Sequence, residues 1–127
     1  VVAADISLTG VADMVDTDGA ELLQADLENG RWPFSTDQFD GIVVTNYLHR
    51  PHFPCIVDSL APSGLLIFDT FAAGNEKFGR PRNPEFLLQP SELMQAFAYK
   101  LEVIAFEQLE VAEPRPAVRQ RICARHP

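Results

Sequence analysis

The sequence predicts an α/β fold with a mostly parallel sheet, and three observations predict it. Apolar runs of strand length alternate with stretches of helical period. Three of the runs finish on an acid, at Asp5, Asp26 and Asp69. A fourth, Ile42 to Thr45, is β-branched and then changes within one residue to Asn46, Tyr47, His49 and Arg50. Open α/β sheets hold their ligands beyond the carboxyl ends of the strands, so polar groups crowded there read as the rim of a site. A second reading stays open for Asn46 and His49, that they close the strand and cap the helix after it.

Val1 to Ile6 reads as a short buried strand, and Ser7, Thr9 and Gly10 supply helix-start chemistry after it. Val11, Ala12, Met14 and Val15 carry a helical face that Asp16-Thr17-Asp18-Gly19 ends. Glu21 to Leu27 is the second strand. Glu28 to Gln38 has no sustained period and reads as a surface loop, with Trp32, Pro33 and Phe34 folded against the body. After Asp40-Gly41, a turn signal, comes the Ile42 strand, expected to be buried on both faces. Phe53, Ile56, Val57 and Leu60 then recur at helical spacing, with Pro54 tolerated in the first turn.

Ala61-Pro62-Ser63-Gly64 is expected to stop that helix ahead of a buried strand, Leu65 to Asp69. Ala72 to Pro90, rich in Gly, Pro and Asn, reads as a long irregular loop, and loops of that length are usually lids or binding segments. Ser91 to Tyr99 returns to helix with Leu93, Met94 and Phe97 on one side. Leu101 to Val111 and Ala117 to Ala124 read as a hairpin at a sheet edge joined through Glu113-Pro114-Arg115-Pro116. In its second strand Val118, Gln120, Ile122 and Ala124 alternate with Arg119, Arg121 and Cys123, so one face is expected to be partly exposed.

The chain of 127 residues has room for one domain with one core. Ten Lys and Arg against 18 Asp and Glu give a net charge of −8, which disfavours a nucleic-acid partner held by phosphate contacts. The cations gather modestly, Lys77, Arg80 and Arg82 in one group and Arg115, Arg119, Arg121 and Arg125 in another. Cys55 and Cys123 lack metal or redox spacing and are expected to be buried free thiols in the cytoplasm. No apolar run has the length of a membrane span.

Acids at consecutive strand ends suit a nucleoside. The two oxygens of Asp5 match a vicinal diol, and Asp26 with its neighbouring backbone suits an adenine amino group; the other reading for each is a helix cap or turn acid. Histidine is a residue type suited to general-base work, so His49 is a candidate, and a structural role for it stays open. Tyr47 either walls a pocket or packs in the core. Lys77 and Arg80 either meet an anionic acceptor or remain solvated. His49 with His52 lacks the further ligand a metal would need.

Val1-Ala3-Asp5, Gln24-Ala25-Asp26-Leu27, Phe39-Asp40-Gly41-Ile42-Val43-Val44 and Leu60-Ala61-Pro62-Ser63-Gly64-Leu65-Leu66-Ile67, in that order, resemble the class I S-adenosylmethionine-dependent methyltransferases. The run Thr45 to Pro51, followed by Phe71-Ala72-Ala73-Gly74-Asn75, looks like bacterial members of that class. The resemblance implies a Rossmann-like fold and S-adenosylmethionine as cofactor. It implies that Asp5 binds the ribose, that Asp26 and Leu27 border the adenine, and that Asn46 and Tyr47 lie beside the methionine part and the transferred methyl. His49 and Tyr47 are then the candidate catalytic residues.

Phe78 and Arg80, on the long loop over the same sheet edge, are expected to meet a small-molecule acceptor. The family's first strand and glycine-rich turn would precede Val1. The expectation is therefore of one domain, residues 1–127, shortened at its amino end and inactive by itself. Strand order is expected to run Glu21–Leu27, Val1–Ile6, Ile42–Leu48, Leu65–Asp69, Ala117–Ala124, Leu101–Val111, with Ala117–Ala124 antiparallel to its neighbours and the family's first strand between Val1–Ile6 and Ile42–Leu48. Two other functions stay open: a nicotinamide-dependent oxidoreductase, which also uses acid-ended strands, and a non-catalytic interaction module.

Overall fold

The strand that ends at the polar cluster runs from Phe39 to Thr45 and lies at one side of a four-stranded sheet. The computed structural model describes residues 2–5 and 21–127. The helix expected at Val11 to Val15, with Gly10 and Gly19, lies outside them. The chain divides into two compact units, Val1–Pro33 and Phe34–Pro127. In the first, β1 (Val2–Asp5) pairs in parallel with β2 (Glu21–Gln24), from Val2 opposite Glu21 to Asp5 opposite Gln24.

In the second unit, β3 (Phe39–Thr45), β4 (Leu60–Phe71), β5 (Glu102–Val111) and β6 (Ala117–Arg125) pair in the order β3-β4-β6-β5. The neighbours within each sheet are those expected, and the late hairpin is present. The expectation of a mostly parallel sheet needs correction. β3 and β4 pair in parallel and β6 is antiparallel to both β4 and β5, as expected of it, so two of the three pairings in this sheet are antiparallel. Three of the four strands still run the same way, because inserting the reversed β6 between β4 and β5 converts two pairings without turning either neighbour.

β4 is longer than expected. The segment read as a helix stop, Ala61 to Gly64, continues the strand through an irregularity in its pairing with β3 between Phe39 and Gly41. Ser63 takes a left-handed φ of 66°. Gly64 is required there, since a Cβ would stand 2.8 Å from the Ala61 carbonyl oxygen and 3.1 Å from that of Phe39.

Side chains on the two faces of this sheet have different fates. One face carries Leu66, Phe68 and Thr70 from β4 and Gln120, Ile122 and Ala124 from β6, all buried. Two short helices cover it, α1 (Phe53–Ser59) and α2 (Glu92–Phe97). Phe53 meets Phe68 edge-on at 5.7 Å, and Phe97 packs against both, at 5.1 Å from Phe53 and 5.9 Å from Phe68. Burying each large apolar side chain contributes about 1.5–3 kcal/mol.

The opposite face is open. Val43 is 67% exposed and Ile67 45%, so β3 is not buried on both sides as its composition suggested. Cys55 and Cys123 are free thiols, each half-buried rather than buried. Among the described residues no helix is long and apolar enough to cross a membrane.

Candidate functional site

β3 gives way to the polar cluster through Asn46, whose φ is 53° and whose N–H donates to the Asp69 carbonyl at 3.0 Å. Asn tolerates this left-handed geometry better than most residues, which explains an amide at the point where the strand turns away. The chain then drops into the body at Leu48, which is buried, and enters a tight turn over Arg50–His52. Pro51 and Pro54 stand in the first positions of that turn and of α1, where a missing N–H costs little.

The turn gathers two of the cluster's side chains, Tyr47 and His49, around His52. The Tyr47 hydroxyl lies 3.2 Å from Nδ1 of His52, and the His49 and His52 rings meet edge-on at 4.5 Å. His52 is buried and His49 half-buried. Tyr47 is thus neither a bare pocket wall nor pure core packing: its ring is half-buried and its hydroxyl is held by a histidine. His52, read from sequence only as a poor metal partner for His49, orients it. Among the described residues no group of three or more His, Cys, Asp or Glu side chains is placed to hold a metal.

Arg50 ties the cluster to the long loop. Its Nε and Nη2 donate to the two carboxylate oxygens of Glu92 at 2.6 and 3.0 Å, and its Nη1 and Nη2 donate to the carbonyls of Glu85 and Leu87. Burial pushes the Glu92 carboxyl up, but the Arg50 hydrogen bond, a donated Gln89 N–H and the Arg50 charge outweigh it and hold the carboxyl below its usual range. The same bond raises Arg50 above its ordinary value. A shallow hollow of about 490 Å3 opens beside this clamp, lined by Arg50, Pro84, Glu85, Gln89, Glu92 and Gln95.

Residues 72–90 are more ordered than their composition suggested. Ala72 bridges Leu88, the Leu88 N–H donates to the Phe71 carbonyl, and Leu87 and Leu88 are buried. Asn75, also buried, accepts from the Val118 N–H and donates to the Pro81 carbonyl, both at 3.1 Å. Gln120 secures the loop's far end: it accepts the Leu93 N–H at 2.8 Å and donates to the Gln89 carbonyl at 3.0 Å. These ties return the loop to the edge where β3 and β4 end. Phe78 is exposed on it, with the Lys77 ammonium 5.1 Å above its ring, and Lys77 also pairs with Glu110. Arg80 is exposed.

The largest ionic assembly at this edge was not legible as one in the sequence. Asp69 accepts from Arg119 Nε at 2.7 Å on one oxygen and from Arg121 Nε at 3.0 Å on the other. Arg119 Nη2 donates to the Asn46 side-chain oxygen at 2.6 Å, and its guanidinium lies 4.6 Å above the Phe71 ring. The alternation of β6 placed Arg119 and Arg121 on one face. Only the register that sets Asp69 opposite Arg121 and Phe71 opposite Arg119 supplies their partners.

In the first unit, Asp5 is exposed at the end of β1. Asp26 closes a turn: its side chain accepts from the Asn29 amide at 2.9 Å and from the Glu28 and Asn29 N–H groups at 3.2 Å. The Asn29 bonds hold its carboxyl below the usual range. Leu27 is half-buried in that turn.

No family model matches the sequence, and no curated protein matches it. Solved structures do. A S-adenosylmethionine-dependent methyltransferase from Methanosarcina mazei superposes with a TM-score of 0.69 at 15% identity, covering 98% of this chain and 81% of its own. The N-methyltransferase NodS from Bradyrhizobium japonicum gives 0.71 at 16%, covering 99% and 72%; its complex with S-adenosyl-L-homocysteine gives 0.69 at 17%, covering 99% and 66%. The [4+2]-cyclase SpnF gives 0.72 at 13%, covering 99% and 65%. This chain has the class I methyltransferase-like fold.

Proposed function

We propose that this chain, with the fold of S-adenosylmethionine-dependent methyltransferases, takes part in methyl transfer from that cofactor to a small-molecule acceptor. The observation that carries the reading is the polar cluster Asn46 to Arg50 at the carboxyl end of β3, on a fold that solved methyltransferases share. The residues present fit such a cofactor in kind. Asp5 offers an exposed carboxylate at a strand end for a ribose diol, and Asn46 carries an exposed amide where β3 turns. Asp26 and Leu27 would border the adenine and Tyr47 the methyl-bearing part.

When bound, the cofactor supplies a methyl group on a positively charged sulfur. The work left to the protein is alignment, exclusion of water and, for a protonated acceptor, removal of one proton. His49 is the proposed base, and Tyr47, fixed by His52, the proposed wall that positions the acceptor. The loop of residues 72–90, clamped by Arg50, is the proposed cover, presenting Phe78 and Arg80 to the acceptor.

The fold also serves the cyclase SpnF, so binding of the cofactor has to be measured. Calorimetric titration should show saturable binding of S-adenosylmethionine and none of a nicotinamide dinucleotide. Asp5→Ala should weaken the cofactor about 10- to 100-fold, the scale of hydrogen bonds to a charged group. Binding of the dinucleotide alone would replace methyl transfer with hydride transfer.

A further inference from the structure

The ionic assembly on Asp69 engages one carboxylate closely and a second one loosely. Two guanidinium groups share one carboxylate, and the remaining contact, Arg121 Nη1 to Glu107 Oε2, is 3.5 Å long with a glutamate side chain 60% exposed. A pair of that kind contributes little. With Glu107 counted, the formal charges of the assembly balance, and the carboxylate that solvent screens is the exposed one.

Its donors are also unspent. Because Arg119 Nη2 donates to the Asn46 oxygen, that amide turns its Nδ2 hydrogens away from the guanidinium. Asn46 Nδ2, Arg119 Nη1 and Arg121 Nη2 have no partner among the described residues. No buried side-chain nitrogen there lacks a partner, so these groups face solvent. Arg119 is held in place by Asp69, Asn46 and the Phe71 ring, and its side chain is only 14% exposed. The donor set is ordered before any ligand arrives, which lowers the entropic cost of binding.

We propose that Asn46, Arg119 and Arg121 form a subsite for a carboxylate group of the acceptor. Planar guanidinium and amide donors match the two oxygens of a carboxylate. Assignment to the acceptor rests on the methyl-transfer reading; the carboxylate chemistry does not. Lys77 and Arg80, the cations expected to meet an acceptor, are respectively paired with Glu110 and exposed on the loop, outside this assembly.

The test titrates the protein with sodium acetate, against sodium chloride at equal ionic strength, while following the arginine Nε–H resonances by 1H–15N NMR. Saturable shifts of Arg119 and Arg121 are expected with acetate only. Arg121→Gln should weaken acetate at least about 10-fold, the loss of one charge-assisted bond. Asn46→Asp, which suits the same left-handed backbone and delivers a carboxylate to Arg119, should abolish the response in a folded protein. Shifts equal in chloride, or unchanged in both variants, would overturn the subsite. Acetate binding that persists with saturating S-adenosyl-L-homocysteine supports the acceptor assignment, and displacement by it would hand the subsite to the cofactor's own carboxylate and overturn that assignment. Should S-adenosyl-L-homocysteine not bind, the methyl-transfer reading fails while the acetate response still decides the carboxylate site.

Discussion

The two faces of the four-stranded sheet are made by alternate residues of the same strands, yet they do different work. Leu66, Phe68 and Thr70 of β4 are sealed under α1 and α2, and the polar groups among them are paired, as Gln120 is with Leu93 and Gln89. Ile67, Asp69 and Phe71 point the other way, into a face where apolar side chains are exposed and arginines gather around one carboxylate. A register shift of one residue would exchange the two sets, so the alternation that builds the core also delivers the ionic chemistry to the open side. The closed face holds the fold together, and the open face and its carboxyl edge are where ligand binding is proposed.

The sharpest way to break that comparison is to truncate neighbours in sequence. Phe68→Ala, which leaves a cavity among Phe53, Phe97 and the sheet, should cost about 3–5 kcal/mol in urea unfolding. Ile67→Ala, one residue along and half in solvent, should cost about 1 kcal/mol or less. Equal losses would mean that the open face is as tightly packed as the closed one.

A smaller effect is expected from Gln120→Leu. The volume is kept, but the Leu93 N–H and the Gln89 carbonyl lose their partner in a buried place, at a cost of about 1–3 kcal/mol. Amide exchange should quicken at Leu93 first. Stability equal to wild type would show that Gln120 fills space rather than tethering α2.

The smallest effect concerns the clamp at the loop. The Glu92 carboxyl is held below its ordinary range in the folded protein, so its contribution is complete above the pKa it has in the unfolded chain and fades as pH falls through the lowered folded value. Arg50 and Glu92 are both partly exposed, which limits the effect. The protection factor of the Leu88 amide should fall on acidification through that range, and Glu92→Gln should flatten the dependence. A slope that survives Glu92→Gln would place the sensitive group elsewhere.

The strand neighbours were legible because alternation and turn residues write them locally: β6 could be read from Val118, Gln120, Ile122 and Ala124. The polar end of β3 was legible for the same reason, since a β-branched run stops within one residue at Asn46. What could not be read depends on pairing between distant residues. Asp69 looked like one more acid at a strand end until β6 brought Arg119 and Arg121 against it across 50 and 52 positions. Exposure of Val43 was likewise hidden, because an apolar strand reads the same whether one face or two are covered. The loop's order came from single side chains, Arg50, Asn75 and Gln120, whose partners lie far away in sequence.

The claim that the carboxyl edge of β3 is the working part of the molecule is tested most directly by mapping backbone amide shifts as S-adenosyl-L-homocysteine is added to the protein. The largest shifts are expected at Asp5 and at Thr45 to Tyr47, with Leu66, Phe68 and Phe97 on the closed face unmoved. Shifts centred on the opposite end of the sheet, around Ser63, Gly64 and Leu101, or on the closed face, would contradict the account.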